Sequence, residues 1–203
     1  MRELADKIAR WRARGDRVAL ATVVATRRSA PRPVGAKLVV SEGGELFGSV
    51  SGGCVESDVA VQAAEVIEDG KPRLLTYGIS DDQAWDVGLP CGGEIDVFVE
   101  RFEGELPESS EPAVAMTVLE GDRAGEKSLV GAEAIEPGPS RVLELDGETV
   151  FAEVLGPPPR LVVVGAIDTA EELCRAREEP RLADGRRRPA PCARHARAAT
   201  QSR

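Results

Sequence analysis

Aromatic side chains are scarce, 3% of 203 residues, which leaves few stacking platforms for nucleic-acid bases. Histidine occurs once, at position 195, so a histidine-built metal centre is not expected. Cysteine stands at four irregularly spaced positions, Cys54, Cys91, Cys174 and Cys192. That is not the framework of a disulfide-stapled secreted domain, so a cysteine with chemical work here acts as a thiol. No apolar run approaches the roughly 20 residues of a membrane span. The opening MRELADKIARWRARG reads as a charged amphipathic helix rather than a signal peptide, and the expectation is a soluble, cytoplasmic protein. Excess positive charge is missing too: 35 acidic against 26 basic residues give −9, a surface that repels phosphate-rich partners such as duplex DNA. No nucleic acid and no membrane span are therefore expected. What remains is 42% apolar content, sufficient for the core of one good-sized domain or two small ones.

The charge is unevenly distributed. Residues 175–203 hold nine Arg and three acids, a local +6, which leaves −15 for residues 1–174. With one Leu as its only large aliphatic residue, this tail cannot offset its ordering entropy by burial and is expected to be disordered. Arg, Ala, Pro and Gly are also what GC-rich codons yield in a wrong frame. The favoured reading is a frame lost shortly after Cys174, the alternative an Arg-rich surface for nucleic acid or membrane.

Residues 1–174 carry a mixed pattern. Leu4, Ile8 and Trp11 recur at helical spacing over 2–14. VALATVVAT (18–26) is apolar on both faces and predicts a central strand. KLVV (37–40) and LFGSV (46–50) flank the turn SEGGE and predict a hairpin. Val55, Val59, Ala63 and Val66 form one stripe of a helix that Gly70 is placed to stop. RLLTYG (73–78) and EIDVFVERF (94–102) predict further strands. Residues 103–155 read as a smaller β-rich connecting portion with a hairpin at Leu145–Thr149. GPPPR (156–160) is a stiff linker, and LVVVGAIDTAEELCRA after it reads as strand, tight turn and helix, the way a nucleotide-binding βαβ unit begins. Gly165 is followed by Ile167 and Ala170 where the dinucleotide fingerprint has glycines, so NAD or FAD binding is not expected of it. The fold class is α/β: a mixed α+β N-terminal domain over 1–102, the portion 103–155, the linker and incomplete Rossmann-like βα unit over 156–174, and the tail 175–203.

Chemistry concentrates in two glycine–cysteine loops, Ser51-Gly52-Gly53-Cys54 before a helix and Pro90-Cys91-Gly92-Gly93 before a strand. Paired glycines let backbone N–H groups approach a ligand, and a helix N-terminus favours phosphate and thiolate alike. Cys54 and Cys91 are candidate nucleophiles or soft-metal ligands, or else small buried apolar residues beside structural glycines. Arg27, Arg28, Arg32 and Lys37 make a local basic cluster that suits an anionic small ligand or is simply a solvated loop. Glu56 and Asp58 fall in the first helical turn, where capping is the expected role of at least one. Asp81, Asp82, Trp85 and Asp86 precede Cys91, as a candidate metal or base cluster or as an ordinary acidic turn.

Three motifs in order, S-x-P-R-x-x-G-A-K (Ser29–Lys37), G-S-V-S-G-G-C-V-E (Gly48–Glu56) and G-L-P-C-G-G (Gly88–Gly93), closely resemble the N-terminal domain of the XdhC/CoxI family over about residues 5–102. These are accessory proteins of xanthine dehydrogenase and carbon monoxide dehydrogenase. The chain departs from the family after residue 174, where the rest of a Rossmann-like domain is replaced by the Arg-rich tail. The resemblance implies an accessory, non-catalytic role: binding the molybdenum cofactor as cargo, supporting its sulfuration with a cysteine desulfurase, and delivering it to the large subunit of a molybdenum hydroxylase. Whether the chain forms a homodimer is left open. Cys54 and Cys91 become the sulfur-side residues, with possible molybdenum contact, and Arg32, Lys37, Gly52, Gly53, Gly92 and Gly93 the contacts to the anionic cofactor. The rivals are a nucleotide-dependent oxidoreductase and a truncated, non-functional remnant.

Overall fold

The structure, a computed structural model, describes residues 2–78, 92–107 and 111–156. Cys91, the acidic cluster at 81–86, the linker, the βα unit and the tail lie outside the described residues. The chain divides into two compact units, Met1–Pro157 and Pro158–Arg203, and every described residue belongs to the first.

Helix α1 (Arg2–Ala13) precedes β1 (Val18–Arg27), β2 (Lys37–Ser41) and β3 (Leu46–Gly48); α2 (Glu56–Asp69) leads to β4 (Arg73–Tyr77) and β5 (Glu94–Arg101). The five strands form one antiparallel sheet of order β3-β2-β1-β5-β4. β1 is its central strand, buried from Val18 to Val24, as its two-faced apolar sequence requires.

Alternation along the strands divides the sheet's two faces. Ala19, Ala21, Val23, Leu38, Val40, Ile95, Val97 and Val99 pack on Val59, Ala63, Val66 and Ile67 of α2. At about 1.5–3 kcal/mol for each large apolar side chain fully buried, this layer anchors the helix. α2 ends where Gly70, at φ 72°, donates its N–H to the Val66 carbonyl. The opposite face meets Leu4, Ile8 and Trp11 of α1 near Leu20 and Val39.

The rest of that face is covered by a second antiparallel sheet of β6 (Ala113–Val118), β7 (Lys127–Gly131), β8 (Arg141–Leu145) and β9 (Glu148–Leu155), in the order β7-β6-β9-β8. The expected hairpin joins β8 to β9 through Asp146 and Gly147, both at positive φ, as a two-residue turn of this kind requires. Val24 and Phe98 of the first sheet pack with Phe151 of the second and with Leu119, just past the end of β6.

Strand β3 stops at Gly48 rather than at the expected Val50. A Cβ on Gly48 would overlap the Lys37 carbonyl. The same carbonyl accepts the Ser49 N–H at 3.0 Å, and the chain then leaves the ladder toward α2.

Candidate functional site

The Ser29–Lys37 loop, the Gly48–Glu56 segment and Gly93, the last residue of the third motif, come together at one end of the first sheet. Ser49 Oγ and the Ser49 carbonyl mark the centre. The carbonyl accepts a 3.4 Å bond from Arg32 Nε, tying the Ser29–Lys37 loop to the Ser51–Cys54 loop. A Cβ on Gly52 would lie 4.0 Å from Pro31 Cβ. Gly93 lies so close to the Ser29 carbonyl that a Cβ there would overlap it, which draws the start of β5 into the same group. Replacing Gly93 by alanine is therefore expected to cost about 1–3 kcal/mol, as overpacking does. A urea titration within a few tenths of the parent would show the approach to be dispensable.

The Ser51–Cys54 loop is organised around Glu56, the first residue of α2. Its Oε1 accepts from Ser49 Oγ at 2.7 Å and from the N–H groups of Val50 (3.2 Å), Ser51 (2.9 Å) and Gly52 (3.1 Å). Its Oε2 accepts from Gly53 N–H at 2.8 Å and from Ser51 Oγ. Gly52 and Gly53 stand at φ 79° and 113°, a region open mainly to glycine, and this aims both amides at the carboxylate. Burial alone would push the Glu56 carboxyl up, but the Ser51 and Ser49 hydroxyls and the backbone amides hold it at about 2. Ser51 is 1% exposed; having donated to Glu56, its Oγ accepts the N–H groups of Cys54 (2.9 Å) and Val55 (3.0 Å). That uses the full capacity of a hydroxyl.

The backbone donors of Gly52 and Gly53, expected to bind an external anion, are thus occupied by an anion of the chain itself. Glu56 gathers the donors of the loop that precedes α2, no side chain among the described residues caps the helix itself, and Asp58 accepts the Tyr77 hydroxyl at 2.7 Å and fastens α2 to β4. Burial, then this bond, push the Tyr77 pKa upward.

Cys54 is half-buried, a free thiol, and packs at the border of the α2 core. Its neighbours Gly52 and Gly53 are exposed.

The basic cluster needs correction. Lys37 is not part of a solvated loop: it opens β2 on the face toward the second sheet, its side chain is 4% exposed, and Nζ lies 2.6 Å from Glu153 Oε1. A buried ammonium already paired with Glu153 on that face is not placed to meet an anion at the Cys54 loop. Arg27 bonds Asp96 Oδ2 at 2.9 Å and also Glu94 across β5, and the Asp96 bond leads the causes that raise its pKa. Among the described residues, Arg28 and Arg32 are the members of the cluster without a carboxylate partner. Gly93 borders Ser29, a Cβ on Gly92 would meet nothing within 4 Å, and Cys91 falls outside the described residues.

Ser51, Ser49 and the Glu153 partner of Lys37 are site residues that the sequence does not single out. The two serines carry a local signal, small hydroxyls within seven residues of an acid that starts a helix. Glu153 carries none. Among the described residues no three His, Cys, Asp or Glu side chains group so as to hold a metal ion, and no helix is long and apolar enough to cross a membrane.

Comparison with known proteins shows what this part of the chain is similar to. The chain is 40% identical over 94 residues to the molybdenum cofactor insertion chaperone PaoD of Escherichia coli strain K12, a stretch covering 46% of this chain and 29% of that protein. It is 36% identical over 88 residues to a probable xanthine dehydrogenase subunit from Bacillus subtilis strain 168, covering 42% of this chain and 27% of that one. The matched stretch is thus less than a third of either curated relative. In fold it is similar to a solved xanthine dehydrogenase from Bacillus halodurans, with a TM-score of 0.54 at 20% identity, over 75% of this chain and 52% of the other. A family model described as XdhC and CoxI family matches residues 11–78, from the end of α1 through β4, and so includes the Ser29–Lys37 and Gly48–Glu56 motifs. The stretch of this chain that is similar to the XdhC and CoxI family is thus residues 11–78.

Proposed function

We propose that this chain handles the molybdenum cofactor as cargo, as an accessory protein rather than a catalyst. The Cys54 loop would face the cofactor's sulfur side and Arg32 its anionic group. The observation that carries this reading is the approach of the Ser29–Lys37 loop and of Gly93 to one another and of that loop to the Gly48–Glu56 segment, which carries the half-buried free thiol of Cys54. A soft metal held by dithiolene sulfur is complemented by thiol chemistry. An anionic tail is complemented by a guanidinium free of carboxylate partners, as Arg32 is among the described residues. In this reading Glu56 keeps the loop rigid, so that Cys54 is presented from a fixed backbone. Gly52 and Gly53 serve as scaffold rather than as donors to the cargo. Sulfuration with a cysteine desulfurase and delivery to a molybdenum hydroxylase belong to the same proposal, with Cys91 as the second thiol. The similarity to a protein named as an insertion chaperone supports it.

Arg32→Ala is expected to weaken cofactor binding about ten- to a hundredfold at low salt, the size of one charge-assisted hydrogen bond. The loss should shrink as salt rises, because Arg32 is exposed and therefore screened. Its melting should match the parent, since the 3.4 Å contact to Ser49 is its only bond among the described residues. Fluorescence quenching on anaerobic titration reads both effects. Equal affinities at low salt would take Arg32 out of the site.

A further inference from the structure

Strand β7 closes one end of the order β7-β6-β9-β8, and its residues Lys127, Ser128 and Leu129 are all exposed. At 61% exposure Leu129 is the most accessible large apolar side chain among the described residues. A bare edge strand pairs readily with another strand, and proteins guard such edges with bulges, proline or lysine. β7 contains no proline and keeps an unbroken register with β6 from Lys127 to Gly131. Its one lysine is drawn aside, because Lys127 Nζ lies 2.7 Å from Glu100 Oε1 on β5.

The hydrogen-bond register decides which backbone groups of β7 are bare. Val118 N–H donates to the Glu126 carbonyl at 3.0 Å, and Gly125, at φ 88°, donates to the Val118 carbonyl at 2.8 Å. This is the glycine bulge that closes a hairpin, and it makes Val118 and Glu126 a hydrogen-bonded position. Bonded positions alternate along an antiparallel pair. Ser128 and Val130 therefore turn their N–H and C=O groups to Met116 and Val114, and Lys127, Leu129 and the Gly131 N–H turn theirs outward. The other side of β6 agrees: Leu119 N–H donates to the Thr149 carbonyl at 2.9 Å, so the odd-numbered residues of β6 serve β9 and the even-numbered ones β7.

This edge is complementary to itself. Two copies of β7 laid antiparallel about a two-fold axis at Leu129 set Leu129 opposite its counterpart, Ser128 opposite Val130 and Lys127 opposite Gly131. Each Leu129 N–H then meets the Leu129 carbonyl of the other copy, and each Gly131 N–H meets a Lys127 carbonyl. No like charges stand opposite each other, and the two exposed leucines cover one another. A contact of this kind uses the same patch on both copies and closes as a pair.

We propose that β7 is a self-association edge, at which a second copy of this chain pairs antiparallel about Leu129 and the two four-stranded sheets become one continuous sheet. The proposal rests on β7 and does not depend on the reading of the Cys54 loop.

Sedimentation equilibrium of the full chain over about 1–500 µM tests it. The mass should rise from 21.6 kDa toward twice that value, with a Kd of about 1–100 µM as suits a small contact, and stop there. Leu129→Lys sets two ammonium groups opposite each other at the axis and should weaken pairing roughly tenfold or more. Val61→Lys, at a 57% exposed valine of α2, should pair like the parent. Amide exchange of the parent reads the register without any substitution. The Leu129 and Gly131 N–H groups should exchange about tenfold more slowly at the top of that concentration range than at the bottom, and those of Ser128 and Val130, already bonded to β6, should not change. A parent that stays monomeric at about 500 µM, a mass that passes the dimer, parent-like pairing of Leu129→Lys, a matching loss in Val61→Lys, or Leu129 exchange that ignores concentration would each overturn the proposal. Should Leu129→Lys fail to fold, the Leu129 amide decides: slowing with concentration supports the edge, and its absence overturns it.

Discussion

Replacing Lys37 by alanine is expected to destabilise the protein by about 3–5 kcal/mol, the cost of removing one partner of a buried ion pair. Its side chain is 4% exposed and that of Glu153 17%, so the orphaned carboxylate would keep little water. Lys37 Nζ also donates to the Gly35 carbonyl at 3.4 Å, and the substitution removes that bond as well. For a unit of this size the melting temperature should fall by roughly 10 °C. The double variant Lys37→Met, Glu153→Leu removes both charges at similar volume and should return close to the parent, because burying an ion pair is itself costly. Thermal and urea melts of the three proteins decide. A single variant costing under about 1 kcal/mol would mean that the pair holds nothing together, and the basic-loop reading of Lys37 would stand again.

The second large effect belongs to Glu56. Hydrogen bonds to a charged group contribute about 1.5–3 kcal/mol, and this carboxylate collects six donors from Ser49 to Gly53. Glu56→Ala should cost about 3 kcal/mol and Glu56→Gln somewhat less. The amides of Gly52 and Gly53 should exchange faster in both. The pH dependence has a definite sign. A carboxyl held at about 2 in the folded chain, below its ordinary 4.5, contributes stability that is complete above the unfolded value. That contribution is lost as pH falls through the folded one. The gap between the parent and Glu56→Gln should therefore be widest near neutrality and narrow between pH 4.5 and 2. A urea-midpoint difference that is flat across that window would remove Glu56 as the organiser of the loop.

These two residues also mark where the sequence is legible and where it is not. The strands of the first sheet, both helices and the stop at Gly70 follow from local pattern: the two-faced apolar run VALATVVAT, the Val59, Ala63 and Val66 stripe, a glycine where the chain turns left-handed. Glu56 is legible in part, because an acid in the first turn of a helix is a capping signal. That its carboxylate folds back onto the Gly52 and Gly53 amides is a matter of loop geometry. Lys37 is misread because its partner lies 116 residues away, and a basic residue after Arg27, Arg28 and Arg32 looks like one more member of a solvated cluster. Strand alternation holds a clue: Leu38 and Val40 face α2, so Lys37 has to face the other way, toward a sheet whose strands begin only at Ala113. Charge counts along a loop are read in one dimension, and burial is decided in three.

The cofactor-handling proposal is tested most directly by the molybdenum held per chain after anaerobic loading with molybdenum cofactor and gel filtration, for the parent and Cys54→Ser. The substitution changes little volume at a half-buried position, so the two should melt alike. The expected result is near-stoichiometric molybdenum on the parent and at least a tenfold loss on Cys54→Ser, with the lost cofactor recovered in the free fraction. Equal molybdenum on both proteins, or none on a well-folded parent, would contradict a cargo site at the Cys54 loop.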